Sequence, residues 1–121
     1  MSSNGHRRPN IVMILTDDHA AHSISAYGSV VNRTPRIDEI AEHGWLFENC
    51  LVTNSLCSPS RASILTGTYS HINGVSTLWT PIDAGQPTFI TQLRDAGYKT
   101  AMIGKWHMGH GEGHNPEGFD Y

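Results

Sequence analysis

Residues 10–15, with the sequence NIVMIL, limit the possible folds more than any other part of the chain. The residues are nearly all apolar, several are β-branched, and polar and apolar positions do not alternate as they do in a half-exposed strand. A continuous run of this kind is typical of a strand buried on both faces of a parallel sheet. It is far shorter than the ~20 apolar residues of a membrane-spanning helix, so we expect no membrane segment.

Helix signals alternate with further strand-like segments after this run. Three helices are predicted from a capping residue or a proline at the start and a glycine at the end, and they cover residues 34–44, 58–67 and 87–97. Strands are predicted over residues 45–53 and 98–103, and loops over residues 68–86 and 104–118. The alternation predicts an α/β fold with a largely parallel sheet flanked by helices. In such sheets, ligands bind beyond the carboxyl ends of the strands.

The length of 121 residues allows at most one domain. We expect residues 1–8 to be a flexible N-terminus and residues 9–121 to form the folded part. The chain stops at Tyr121 within a loop-like stretch, without a polar tail. We therefore expect the chain to be the truncated, N-terminal portion of a longer protein.

The charge of the chain argues against several partners. Its net charge of −3, with histidines neutral, gives no basic surface for nucleic acid. Arg7 and Arg8 are followed by Pro9 and by an apolar run too short for a secretory signal. We therefore expect a cytoplasmic protein with neither a nucleic acid nor a membrane as partner.

The segment 57–61, with the sequence CSPSR, predicts an anion site. Ser58 is a good N-cap and Pro59 suits the first helical position, so unpaired backbone N–H groups would attract an anion there. Arg61 adds a forked donor suited to sulfate or phosphate, and the positive field would make the sulfur of Cys57 reactive. We expect Cys50 to be a small buried hydrophobe and no disulfide to join it to Cys57.

Two adjacent carboxylates, Asp17 and Asp18, follow the first predicted strand. Their hard oxygens suit Ca²⁺ or Mg²⁺, although both can reach one ion only if the chain turns there. Further ligands must then come from elsewhere, because Ca²⁺ takes about 6–8 oxygens. The alternative is a solvated acidic loop or a helix cap.

Lys105 and His107 follow the last predicted strand and lie two positions apart. In an extended backbone both would point to one side and Trp106 to the other, so that Trp106 anchors the loop by burial. Lys105 offers positive charge to an oxyanion, and His107 can donate or accept a proton. The alternative is a surface lysine beside an incidental histidine.

The remaining histidines carry weaker signals. A zinc site of His107, His110 and His114 is disfavoured because the spacing fits no standard zinc pattern. His19 and His22 are expected in capping or surface roles, although one of them could touch substrate. A turn role is expected for His71.

Together these segments resemble the formylglycine-dependent sulfatases of the alkaline phosphatase superfamily. Residues 57–61, with Leu65-Thr66-Gly67 after them, resemble the first signature of that family, and residues 97–107 resemble the second. Residues 9–18 are similar to its opening strand and first metal ligands. The resemblance runs from about residue 8 to residue 121, and three motifs in the same order are far more specific than one.

The resemblance implies a role for each candidate residue. Cys57 would be oxidised to formylglycine by a separate maturation enzyme, and the hydrated aldehyde would attack the sulfur of a sulfated small molecule or carbohydrate. Asp17, Asp18 and the formylglycine at position 57 would hold a divalent cation, usually Ca²⁺, with Mg²⁺ possible. Arg61 and Lys105 would stabilise negative charge.

His107 would assist the expulsion of sulfate. The resemblance also implies further metal ligands and sulfate-binding groups downstream of these 121 residues, so we expect this chain alone to bind metal weakly and to turn over little.

Three other readings stay open on the sequence alone. A related hydrolase of phosphonate or phosphate diesters would use the same matured cysteine. A thiolate phosphatase usually has a longer cradle than the three residues between Cys57 and Arg61. An inactive truncated product, or a binding protein that kept the fold and lost the chemistry, is the third.

Overall fold

A computed structural model describes residues 8–109, 116 and 118–121 of the chain. The chain divides into two compact units, Met1–Phe47 and Glu48–Tyr121. Among the residues described, the regular elements are all helices, and no strand forms. No helix in this part of the chain is long and apolar enough to cross a membrane.

The first unit contains two short 3₁₀ helices, Ala21–Ser23 and Ser25–Tyr27, followed by helix α1, Pro35–His43. Helix α1 begins and ends where the local signals predicted, with Pro35 at its first position and Gly44 just after its end. A side chain at Gly44 would not fit, because its Cβ would lie 2.8 Å from the carbonyl oxygen of Ile40. The expected position of Thr34 as the N-cap residue is confirmed.

Thr34 precedes α1 without capping it through its side chain. Its hydroxyl accepts a hydrogen bond of 2.9 Å from the backbone N–H of Ser25 and donates one of 3.1 Å to Asp38. Asp38 also accepts from the hydroxyl of Ser25 at 2.6 Å and from the backbone N–H of Ala26 at 2.8 Å. These bonds to the carboxylate, that of Ser25 first, lower the pKa of Asp38.

Residues 10–15 differ from the prediction of a buried strand. The side chains from Ile11 to Leu15 are between 48% and 82% exposed. Trp45 and Phe47, in the second predicted strand, are exposed as well, and so is Cys50, which was expected to be buried. A strand buries both faces only against paired neighbours and covering helices, which the described residues do not supply here. The sheet therefore stays a prediction.

The second unit contains the helices α2, Cys57–Thr66, α3, Ser70–Asn73, and α4, Phe89–Asp95. Its apolar core joins α2 to three loop segments through four buried side chains: Ala62, Val75, Ile82 and Met108. Leu65 and Trp106 pack against this cluster. The core therefore lies beneath α2 and the loop that follows residue 104.

Local signals predicted the C-terminal end of α2 and the start of α4 well. Gly67 ends α2 in the left-handed conformation, at φ 68°. Thr88 caps α4 by accepting a hydrogen bond from the N–H of Thr91, whose hydroxyl in turn accepts from the N–H of Thr88. Gly97, two residues beyond α4, has a φ of 86°. Helix α3 lies within the predicted loop 68–86, and a helix of four residues has too few positions for a periodic signal.

Residues 98–103 pair with the last residues of the chain over a short distance. The N–H of Met102 donates to the carbonyl of Tyr121 at 3.0 Å, and the N–H of Tyr121 donates to the carbonyl of Thr100 at 3.3 Å. Tyr121 thus bonds to the residues immediately before and after Ala101, which is the hydrogen-bond pattern of two parallel strands.

The side chain of Asp120 accepts the N–H of Thr100 at 2.8 Å. This backbone hydrogen bond, first among several causes, lowers the pKa of Asp120.

Candidate active site

Cys57 is the first residue of α2, preceded by Leu56 at the N-cap position. The predicted start with Ser58 as N-cap and Pro59 as first helical residue is therefore wrong by two residues. The first helical hydrogen bond runs from the N–H of Ser60 to the carbonyl of Leu56 at 2.9 Å. Cys57 thus lies within the turn whose N–H groups have no helical acceptor. Its thiol is half-buried and forms no disulfide.

The hydroxyl of Ser58 was expected to cap α2, but its hydrogen-bond partners lie outside the helix. Ser58 is fully buried and donates a hydrogen bond of 2.7 Å to the carbonyl of His107, 49 residues away. The carbonyl of Leu78 lies 3.2 Å from the same hydroxyl. Because a hydroxyl carries one proton, the shorter bond to His107 is the principal one.

Arg61, one turn further along α2, holds the same loop at a second point. A guanidinium nitrogen of Arg61 donates to the carbonyl of Lys105 at 2.7 Å. Residues three apart on a helix share a face, so Ser58 and Arg61 bind the carbonyls of two residues in one loop. Four predicted site residues of the second unit are thereby brought together: Cys57, Arg61, Lys105 and His107.

The prediction for Lys105 and His107 assumed an extended backbone, but the loop between residues 104 and 108 is not extended along its whole length. His107 has a φ of 55°, which non-glycine residues adopt at a cost of about 1–3 kcal/mol. Gly104, at φ 117°, has a conformation that suits only glycine. The loop therefore reaches α2 through two unusual backbone conformations.

Trp106 packs against the core as predicted, although Met108, two residues further on, is more deeply buried. Trp106 is half-buried against the core and meets Phe119 edge to face, with ring centroids 6.1 Å apart. Met108 is 1% exposed, and its carbonyl accepts a hydrogen bond of 3.1 Å from the N–H of Ile82. The residues on either side of His107 are thus fixed to the core.

The ring of His107 has a buried Nδ1 atom with no hydrogen-bond partner among the residues that the structure describes. An unpaired buried N–H is costly, since the group has lost its hydration and gained nothing in return. The neutral ring therefore favours a proton on Nε2 and a lone pair on Nδ1. In that form Nε2 is the donor.

Asp17 and Asp18 lie in the first unit, at a bend of the backbone. Asp18 has a φ of 50°, so the chain turns at these residues as a shared ion requires. Across the residues that the structure covers, no group of three or more His, Cys, Asp or Glu side chains could hold a metal. The metal ligands Asp17, Asp18 and position 57 stay a prediction.

The other histidines have varied surroundings. His22 lies in the first 3₁₀ helix and is exposed, and the ring of His71 stacks on Tyr69 with centroids 5.8 Å apart. His110 and His114, of the disfavoured zinc site, lie outside the described residues. The part of Ser58 in the site was missed, because a serine before proline gives the signal of an N-cap whatever its distant partner is.

Comparison with known proteins identifies the class of molecule to which this site belongs. Residues 9–121 match the family model described as sulfatase, so the chain belongs to the sulfatase family. It is 46% identical over 115 residues to an N-acetylglucosamine-6-O-sulfatase of Bacteroides thetaiotaomicron, a match that covers 95% of this chain and 20% of the relative. Human steryl-sulfatase is 38% identical over 118 residues, or 88% of this chain and 20% of the relative. The chain thus spans about a fifth of the length of these relatives.

Solved structures show the same relationship. One, an enzyme in complex with its substrate D-glucosamine-2-N,6-O-disulfate, has 46% identity and a TM-score of 0.88 over 94% of this chain and 22% of the other. A second, Ps i-CgsB, has 33% identity and a TM-score of 0.89 over 94% of this chain and 27% of the other. Over this region the chain therefore shares the backbone course of sulfatases, whose fold is alkaline phosphatase-like.

Proposed function

We propose that this protein hydrolyses sulfate monoesters, with a nucleophile made from Cys57. Family membership supports the reaction class. The observation that carries the proposal is the docking of Lys105 and His107 on the first turn of α2 through the hydrogen bonds of Arg61 and Ser58. These two bonds bring the backbone of Lys105 and His107 to the helix that begins at position 57, which supports one site for these residues.

Position 57 fits conversion to formylglycine. The thiol is free of any disulfide and lies only half-buried at a helix start. A formylglycine supplies an oxygen nucleophile toward sulfur, which a thiol does not. The N–H groups of the first turn point away from the helix and favour an anionic group beside position 57. We infer that a separate maturation enzyme is a partner of this chain.

Asp17 and Asp18 fit a divalent cation by their chemistry, since two carboxylates on a bent backbone offer the hard oxygens that Ca²⁺ or Mg²⁺ takes. A bound cation supplies Lewis-acid stabilisation of negative oxygen. We propose Ca²⁺ as the ion.

The cationic residues act on charge, and His107 acts on a proton. One guanidinium N–H of Arg61 donates to the carbonyl of Lys105, and the forked geometry of a guanidinium suits sulfate oxygens. Lys105 is exposed at the end of the docked loop, where its ammonium can stabilise charge on sulfate. His107 hydrogen-bonds through Nε2 to an oxygen of the reacting group and assists the expulsion of sulfate.

A sulfated carbohydrate is the proposed substrate class. The relative at 46% identity is named for N-acetylglucosamine 6-sulfate, and another solved structure, at 31% identity and a TM-score of 0.81 over 86% of this chain and 25% of the other, holds a neocarrahexaose. Both names describe sugars, which distinguishes them from the steroid of steryl-sulfatase. We propose that 6-O-sulfated hexosamines are hydrolysed fastest.

The test measures hydrolysis and the state of position 57 in the same preparation. We expect sulfate release from N-acetylglucosamine 6-sulfate to exceed hydrolysis of a matched aryl phosphonate ester. The peptide with residue 57 should be about 18 Da lighter than its cysteine form, because SH and H are replaced by an aldehyde oxygen. Faster phosphonate hydrolysis would favour the diesterase alternative. Full activity with an intact thiol would refute the proposal.

A further inference from the structure

The buried hydroxyl of Ser58 is the strongest unassigned feature of the second unit. Ser58 follows Cys57 directly, is 0% exposed, and does not cap its helix. Its bond to His107 is the shorter of its two, and it joins residues 49 positions apart. A fully buried serine in the first turn of a helix normally bonds to that helix, so a distant acceptor needs a reason.

We propose that Ser58 is a positioning residue that holds His107 at the N-terminus of α2. The inference rests on the proposed sulfatase function and adds a residue to the same site. The hydroxyl fixes the His107 carbonyl, and the left-handed backbone of His107 then sets the direction of its ring. An unusual backbone conformation persists only where its surroundings determine it.

Three anchors hold the loop, and each acts on a different carbonyl. Arg61 binds that of Lys105, Ser58 that of His107, and the N–H of Ile82 that of Met108. Of the three bonds, only that from Ser58 is made to His107 itself, whose ring is the proposed functional group. Loss of the hydroxyl leaves the His107 carbonyl without its donor while the neighbouring anchors stay in place. The loop should then stay docked, with the orientation of His107 relaxed.

The chain offers a matched control on the same helix. The hydroxyl of Thr66, at the other end of α2, donates to the carbonyl of Ala62 at 2.7 Å and lies 2.8 Å from the hydroxyl of Thr68, and Thr66 is half-buried. Thr66→Val therefore removes side-chain hydrogen bonds of the same helix without touching residues 105–108. Ser58→Ala and Thr66→Val should lower the melting temperature by similar amounts, so differences in catalysis report position rather than stability.

The first measurement is kinetic and uses the matured enzyme. Ser58→Ala should lower kcat about 10-fold or more with KM changed less than about threefold, as for a group aligned chiefly for the transition state. Thr66→Val should leave both constants near wild type. Equal losses of kcat in the two variants would overturn the inference. If Ser58→Ala does not fold, Ser58→Cys fills the same space with a weaker donor and should show the same loss of kcat.

The second measurement does not depend on activity. Amide resonances of residues 105–108 in the 121-residue chain should shift in Ser58→Ala and stay in place in Thr66→Val. Unchanged resonances of His107 in Ser58→Ala would overturn the inference, whatever the kinetics show. A wild-type enzyme that hydrolyses no sulfate ester would refute the proposed function, and the resonances would still decide the part played by Ser58.

Discussion

The two units of the chain are held together by different kinds of interaction. In Met1–Phe47 the helices have no buried side chains, and the bonds that join α1 to the second 3₁₀ helix are polar and centre on Asp38. In Glu48–Tyr121 an apolar cluster around Ala62 and Met108 lies under the candidate site. The residues docked on α2 therefore have a packed support, whereas Asp17 and Asp18 belong to a unit organised by hydrogen bonds. The two regions should respond differently to mutation.

The largest effect is expected at the reactive position of the second unit. Cys57→Ala should lower kcat for sulfate esters by at least about 10³-fold, because no other side chain there supplies the nucleophile. Stability should change by less than about 1 kcal/mol, since the thiol is only half-buried. Steady-state kinetics and thermal melting check this.

Ser60→Ala, on the same turn of the helix, is the control and should retain activity. A Cys57→Ala variant that retained turnover would contradict the assignment of the nucleophile.

The next effect separates the packed unit from the polar one. Met108→Ala should destabilise the second unit by about 2–5 kcal/mol, because it leaves a cavity at a side chain that is 1% exposed. Met13→Ala, at an exposed methionine of the first unit, should cost less than about 0.5 kcal/mol. Denaturant unfolding of both variants gives the two losses in the free energy of unfolding. Equal losses would show that the apolar core does not stabilise the second unit.

The third effect is the pH dependence of the hydrogen bonds to Asp38 in the first unit. The hydrogen bonds to Asp38 lower its pKa below the ordinary value of 3.8, so its stabilising contribution is present above pH 3.8. The contribution is lost as the pH falls through the lower, folded-state pKa. Hydrogen exchange of the Ala26 amide, which donates to Asp38, should therefore accelerate in that range.

Asp38→Asn should remove this pH dependence, and Asp95→Asn, at the end of α4, should leave it unchanged. An Ala26 amide whose protection does not vary between pH 5 and pH 2, beyond the intrinsic change in exchange chemistry, would contradict the contribution of Asp38.

The smallest effect is expected on the surface of α1. Arg36 and Glu39 form an ion pair with side chains 87% and 50% exposed, and pairs of this kind contribute less than about 0.5 kcal/mol. Arg36→Ala should therefore leave the melting temperature nearly unchanged. A large drop in the melting temperature would mean that this ion pair contributes substantially to the stability of the first unit.

The sequence predicted the features that depend on neighbouring residues. Pro35, Gly44 and Gly67 mark helix ends through local backbone geometry, so the ends of α1 and the end of α2 were predictable. The spacing of Lys105 and His107 likewise predicted that both take part in one loop. Motif order then extended these local features to a family, which the family model bears out.

Distant partners were not predictable from local signals. Ser58 has the residue type and position of an N-cap, and only its bond to His107 shows another use. The burial of residues 10–15 depends on neighbouring strands and helices, so an apolar run alone cannot establish it. The backbone conformation of His107 likewise depends on the hydrogen bond from Ser58, which lies outside the loop, and on the burial of Met108.

The most direct test of the central claim is an NMR titration of the 121-residue chain with inorganic sulfate, the product of the proposed reaction. A single docked site predicts that amide resonances of residues 57–61 and 105–107 shift together, with one binding constant. Shifts confined to one of these segments, or to neither, would contradict a shared sulfate site at the start of α2.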